Sequence, residues 1–131
     1  MDLKKARRRI ISSDTYRKQR LSVDDIENGY WAYSTKTSHS RRLRAKKLHV
    51  MKAGDKVVFT NPSFKLYVGV LNSTTDTSYH GHASGWMNAG QVNAEFVIQA
   101  DGYITVMFET PDNSSASLDN YDCLIDLIRN N

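Results

Sequence analysis

The run Tyr30-Trp31-Ala32-Tyr33-Ser34, with Lys36 and then Arg41-Arg42-Leu43-Arg44-Ala45-Lys46-Lys47 close behind it, decides how this chain is read. Aromatic residues favour strands and no helical period fits residues 30–34, so that segment is expected to be extended. Ser38 or Ser40 then offers an N-cap for a helix running to Lys47 or His49, with Leu43 and Leu48 turned inward and cations elsewhere. No acidic residue stands between Trp31 and Gly54. Flat rings beside concentrated positive charge suit a nucleic acid, which offers bases to stack on and phosphates to pair with.

Upstream of that run, Ser22 is placed to cap a short helix through Ile26, with Asp24 and Asp25 at the positive end of its dipole and Asn28-Gly29 to stop it. Residues 12–19 form a polar loop, Ile10-Ile11 a brief strand, and residues 1–9 a basic arm whose Lys4, Lys5, Arg7, Arg8 and Arg9 would contact phosphates. Downstream, Lys52-Ala53-Gly54-Asp55 turns into an apolar strand over 56–60, and Asn61-Pro62-Ser63 turns the chain again. Residues 65–71 alternate, with Leu66, Val68 and Val70 on one face and Tyr67, Gly69 and Leu71 on the other. Residues 72–90, rich in Ser, Thr, Gly and His, make a long loop that carries Tyr79 and Trp86; loops of that length in small domains are commonly functional. Residues 95–98 and 103–108 flank a turn as a hairpin. Ser117 caps a last helix, in which Leu118, Tyr121, Leu124, Ile125 and Ile128 recur at helical spacing and Asp119, Asp122 and Asp126 face solvent. The sum is an α+β domain, a small curled sheet or open β-barrel of about five or six strands flanked by about three helices.

A chain of 131 residues, 40% hydrophobic and 24% charged, suits one compact domain over residues 10–131 behind the arm. No apolar run is long enough to cross a bilayer and the start has no signal-peptide pattern, so a soluble, intracellular monomer with no membrane partner is expected. The single Cys123 excludes an internal disulfide and reads as a buried, inert thiol. The net charge of +4 conceals segregation: residues 1–52 hold 15 of the 18 Lys and Arg and net +10, whereas 53–131 net −6. Such asymmetry points to a polyanion on the first half.

Catalytic motifs are sparse. His80-Gly81-His82 is half of a metal site at most, without a second Cys or acid pair at ligand spacing. His82-Ala83-Ser84 matches half of the paired His-x-Ser/Thr signature of small phosphodiesterases. No Walker loop, G-x-G-x-x-G, His-Glu-x-x-His or G-x-S-x-G occurs, and no catalytic residue, metal or cofactor is assigned. Two rival readings are a small nuclease or phosphodiesterase using His80 and His82, and an SH3-like barrel interaction protein of a phage or mobile element. Trp31 and Trp86 make the better case. Both lie among Gly, Ser and Asn, and two indoles across a gap can sandwich a base or enclose a methylated amine.

From about Arg9 onward, the order of short motifs resembles the YTH domain, the reader of N6-methyladenosine in RNA, within the PUA-like group that includes EVE and ASCH domains. Ile10-Ile11-Ser12-Ser13 is similar to that family's first strand, and Asn28-Gly29-Tyr30-Trp31-Ala32-Tyr33-Ser34 to its Gly-x-Trp segment. Arg42-Leu43-Arg44-Ala45 resembles its Lys/Arg-Leu-x-x-Ala helix. Val57-Val58-Phe59 through Tyr67-Val68-Gly69-Val70 resembles a strand pair, and Gly85-Trp86-Met87-Asn88-Ala89-Gly90 the loop carrying a second cage tryptophan. The resemblance implies a non-enzymatic reader with Trp31 and Trp86 as cage walls. Ser13, Asp14 and the main chain at Ala32 would read the base edge, and Arg41, Arg42, Arg44, Lys46 and Lys47 would hold phosphates. Ser12 stands where the family has Lys, and Ala32 replaces its Ser or Cys. The base is therefore left open: methyladenine, methylcytosine or another altered base, in single-stranded RNA or flipped from DNA.

Overall fold

The computed structural model describes residues 18–79 and 82–130. The expected strand at Ile10-Ile11, the basic arm, Ser12, Ser13, Asp14 and His80 lie outside the described residues. Among the described residues eleven strands follow one another: β1 (Lys18–Leu21), β2 (Ile26–Asn28), β3 (Tyr30–Ala32), β4 (Thr35–Thr37), β5 (Arg42–Ala45), β6 (His49–Met51), β7 (Lys56–Asn61), β8 (Lys65–Leu71), β9 (Gln91–Val97), β10 (Gly102–Glu109) and β11 (Leu124–Ile128). Every pairing is antiparallel.

One sheet has the order β1-β11-β7-β9. The second is built around β10, which carries β8 along one side and β5 then β6 along the other, with β2 outside β5. Their inner faces meet in a single core. Leu21, Val57, Phe59, Ile125 and Leu127 come from the first sheet, and Ile26, Leu43, Val68, Ile104, Val106 and Phe108 are among those from the second. This is the sheet-on-sheet solution to burying one apolar face per layer. The hairpin β3–β4 stands apart as a third, two-stranded sheet.

The three expected helices are absent among the described residues, so the α+β expectation is corrected to a mostly β fold. Around 42–45 the deciding feature is a period of two: Leu43 and Ala45 are fully buried while Arg42 and Arg44 point to the other face. At the C-terminus, Ser117 caps only one 3-10 turn (Leu118–Asn120), after which Tyr121 is extended and the chain enters β11. Ile125 and Leu127 face the core there, and Leu124 is half exposed. Asp126, expected in solvent, is buried on the outer face beside Arg20, with Arg20 Nε 2.5 Å from its Oδ1. Ser22 likewise supports a single 3-10 turn, Val23–Asp25, its backbone N–H donating to Asp25 Oδ2 at 2.9 Å. The polar loop expected over 12–19 gives way to β1 at Lys18. Residues 99–101 do not close a hairpin, because β9 pairs with β7 and β10 with β8; the turn hands the chain from one sheet to the other.

Where the alternation was long enough, expectation and structure agree. Residues 65–71 form β8 with Leu66, Val68 and Val70 in the core. The core thiol of Cys123 is buried, and burial, with Asp122 beside it, pushes its pKa up to about 12.

Candidate ligand-binding site

The alternation of β10 that sends Ile104, Val106 and Phe108 inward sends Thr105, Met107 and Glu109 to the outer face of the second sheet. Register places Gly69, Tyr67 and Lys65 of β8 beside them on one side. Arg44 and Arg42 of β5 stand on the other. An outer face of this kind ordinarily meets water, yet Thr105, Met107 and Glu109 are all buried. Two elements cover them: the β3–β4 hairpin and the long segment after β8.

Arg44 fastens the hairpin. Its Nε donates to Glu27 Oε2 at 2.8 Å and its Nη1 to the Thr37 carbonyl at 2.9 Å. Gly29, at φ 120°, leads into β3 where any Cβ would collide with that guanidinium and with the Thr37 carbonyl. Trp31 then lies against the sheet, its backbone N–H on Met107 Sδ at 3.1 Å and its indole N–H donated to the Ala45 carbonyl at 2.9 Å. It is 6% exposed, and Lys36 Nζ stands 5.8 Å from its ring. Trp31 is thus the floor of the site rather than a free-standing wall.

The segment after β8 is anchored differently. Residues 84–87 run beside β8, with Ser84 N–H on the Val68 carbonyl at 2.8 Å and Leu66 and Met87 exchanging both backbone bonds. This pairing holds Trp86 over the outer face. Asp76 folds the first part of the segment, accepting from the Asn72 N–H at 2.6 Å, and the Ser34 hydroxyl donates to the Asp76 carbonyl at 2.6 Å, tying segment and hairpin together.

Between these covers lies a concavity of about 310 Å³ lined by Tyr30, Trp31, Ala32, Tyr33, Arg42, Tyr67, Tyr79, Trp86 and Met107. Its rings form an arc: Tyr33 to Tyr79 at 5.0 Å, Tyr79 to Tyr67 at 5.7 Å and Tyr67 to Trp86 at 5.2 Å. Arg42 closes it, its guanidinium carbon 5.2 Å from the Trp86 ring and 4.9 Å from Tyr30. Tyr33 sits at φ 58° in the two-residue hairpin turn, a conformation costing about 1–2 kcal/mol for a side chain of this size. Asn or Gly would occupy that position at less cost; the tyrosine there contributes its ring to the arc. Burial pushes the Tyr79 phenol up to about 12 against the opposing bond to Thr105, and raises that of Tyr67, so both remain neutral donors at physiological pH.

Glu109 stands behind Arg42, which lines the concavity. Burial alone would raise its pKa, but the hydrogen bond from Arg42 Nε at 2.6 Å and the charges of Arg42, Lys65 and Arg41 hold the carboxyl below the usual range. Glu27 is held down in the same way by Lys36 and Arg44 against its own desolvation. Around the concavity Lys36, Arg41, Arg42, Arg44 and Lys65 therefore face Glu27 and Glu109, leaving a cationic surround.

Trp31, Trp86 and Ala32 are brought to one place. Of the phosphate candidates, Arg42 lines the concavity, Arg44 is spent on the hairpin and Arg41 donates to Asn113 Oδ1. Lys46 and Lys47 are exposed, with no ion-pair partner among the described residues, and follow directly on Ala45, whose carbonyl holds Trp31. The sequence pattern did not single out Tyr67, Met107 or Glu109. Gly69 carried a signal for Tyr79, because the Tyr79 ring lies flat on the space a Cβ would fill. Gly69→Ala is expected to displace Tyr79 and cost about 1–3 kcal/mol by overpacking, measurable by urea unfolding; wild-type stability would refute this packing.

Fold and site define a β-sandwich-like domain with an aromatic, cation-rimmed concavity on the outer face of one sheet. No protein-family model, curated protein or solved structure matches the chain. The resemblance to the YTH domain rests on motif order, and the strand at 42–45 departs from the helix it implies.

Proposed function

We propose that this chain is a nucleic-acid-binding module that takes one unstacked base into the aromatic concavity, with phosphates held by the cations around its rim. The observation that carries this reading is the stack in which the Arg42 guanidinium lies against Tyr30 and Trp86 at the mouth of a ring-lined hollow. A volume of about 310 Å³ is at the small end of ligand sites, which run from about 300 Å³ upward, and suits a single flat ring system. Unstacked bases are received on aromatic rings and Arg planes of this kind. Stacking contributes roughly 1–3 kcal/mol per base, so phosphate contacts must supply the remaining affinity. Lys46 and Lys47, exposed and following directly on Ala45, which holds the Trp31 indole, are proposed for that role together with the cations around the concavity. Because Trp31 is nearly buried and has Lys36 over its ring, the proposal does not require a methyl group on the base.

Fluorescence anisotropy of labelled single-stranded RNA and DNA tests the proposal. Trp86→Ala is expected to weaken binding about tenfold or more, corresponding to one lost stack. Lys46→Ala with Lys47→Ala is expected to weaken it further and to flatten its salt dependence. Wild-type affinity in Trp86→Ala would remove the concavity from the binding surface, and failure of every strand to bind would end the nucleic-acid reading.

A further inference from the structure

The Arg42 side chain carries a second piece of information, which rests on the base-binding reading above. A guanidinium has five N–H donors in one plane. In Arg42 the Nε donor is taken by Glu109 Oε2 at 2.6 Å, and rings lie 4.9 and 5.2 Å from its central carbon. Neither Nη group has a hydrogen-bond partner among the described residues, and about a quarter (23%) of the side chain is exposed. Glu109 and the two rings therefore fix the plane of a fork whose free donors open onto the concavity. The same arrangement disfavours a cationic ligand at Tyr30, Trp31 and Trp86. A quaternary or methylated ammonium seeks the ring faces at which Arg42 and Lys36 already stand.

We infer that Arg42 selects guanine. A fork of two coplanar donors is matched by two adjacent acceptors, and the O6/N7 edge of guanine presents that pair, whereas adenine sets its N6 amino group, itself a donor, against one arm. A purine also covers more of an aromatic ring such as Trp86 than a pyrimidine does, which favours guanine over the acceptor pair of cytosine. Glu109 acts as a positioning residue: its carboxylate, held ionised by Arg42 and Lys65, keeps the fork from turning toward solvent.

The experiment uses the full chain and anisotropy of oligouridine strands that carry a single guanine, adenine, cytosine or 7-deazaguanine. The guanine strand is expected to bind about tenfold tighter than the adenine strand, as one bidentate contact provides. The 7-deazaguanine strand, which lacks the N7 acceptor, is expected to fall to the adenine level. Arg42→Lys is expected to abolish the preference, so that the guanine and adenine strands bind that variant equally; the deaza substitution tests the same contact with the protein unaltered. Equal binding of all four strands, or preference for cytosine, would overturn the guanine assignment and leave the base-binding reading standing. Absence of binding to any strand would overturn both.

Discussion

Phe108→Ala is expected to lower the unfolding free energy by about 3–5 kcal/mol, the range for deleting a fully buried phenyl ring and leaving its cavity. Phe108 is completely buried and packs edge-on against Phe64, at 6.5 Å, and Tyr121, at 5.2 Å. Its backbone is paired on both sides, to Leu66 of β8 and Leu43 of β5, so the surrounding strands have little freedom to collapse into the gap. Domains of this size have only about 5–15 kcal/mol in hand, so the variant should give up a large share of its stability. Urea denaturation followed by circular dichroism measures the loss. Trp86→Ala makes the contrast: half-buried on the outer face, it should move stability by about 1 kcal/mol or less while removing ligand binding. A loss of stability at Trp86 equal to that at Phe108 would mean that the aromatic arc is a second core rather than a site.

That division of labour between the two faces of β10 explains how much of the protein was legible in its sequence. In 65–71 the alternation lasts seven residues, so Leu66, Val68 and Val70 separate from Tyr67 and Gly69 without any structure to help. Arg42-Leu43-Arg44-Ala45 alternates over only four residues, too few to outweigh a serine at a plausible cap and leucines at 43 and 48. The C-terminus shows the same ambiguity. Leu118, Tyr121, Leu124, Ile125 and Ile128 satisfy a helical period, while the strand is marked only by Asp126 between Ile125 and Leu127, the acid that meets Arg20 across the register with β1. Local pattern could not see that partner because it lies more than a hundred residues away. For the site, Trp31 and Trp86 were visible because their neighbours are polar. Tyr67 was not, because an aromatic residue on the outward face of a strand is ordinary until the chain returns to cover it. Glu109 was hidden for a related reason: its meaning comes from Arg42, which stands opposite it only once β5 pairs with β10.

His49 gives the second large effect, a loss of stability on mild acidification. It lies on β6 with 5% of its surface exposed, and its Nε2 is buried with no hydrogen-bond partner among the described residues. Burial, with Lys47 and Arg129 adding to it and Asp25 opposing it, lowers its pKa from 6.5 to about 4. The unfolded chain takes up a proton as pH falls through 6.5, while the folded chain does not until about 4. The unfolded state thus binds more protons across that window, and stability falls as pH falls, by about 3 kcal/mol in all. Above 6.5 the group contributes no pH dependence. Glu27 and Glu109 act lower on the scale, their stabilising ionisation being lost as pH drops below the ordinary carboxylate range and through their depressed folded values. Urea midpoints at pH 7 and pH 4.5 for the wild type and His49→Gln separate the two contributions. The wild type should lose most of the 3 kcal/mol between these pH values, and His49→Gln, whatever its absolute stability, should lose clearly less, since only His39, lowered by burial and by Arg42 and Arg41, and the carboxylates then add to the pH dependence. Parallel losses in the two proteins would place the acid sensitivity elsewhere and show that the imidazole is charged, or solvated, within the fold.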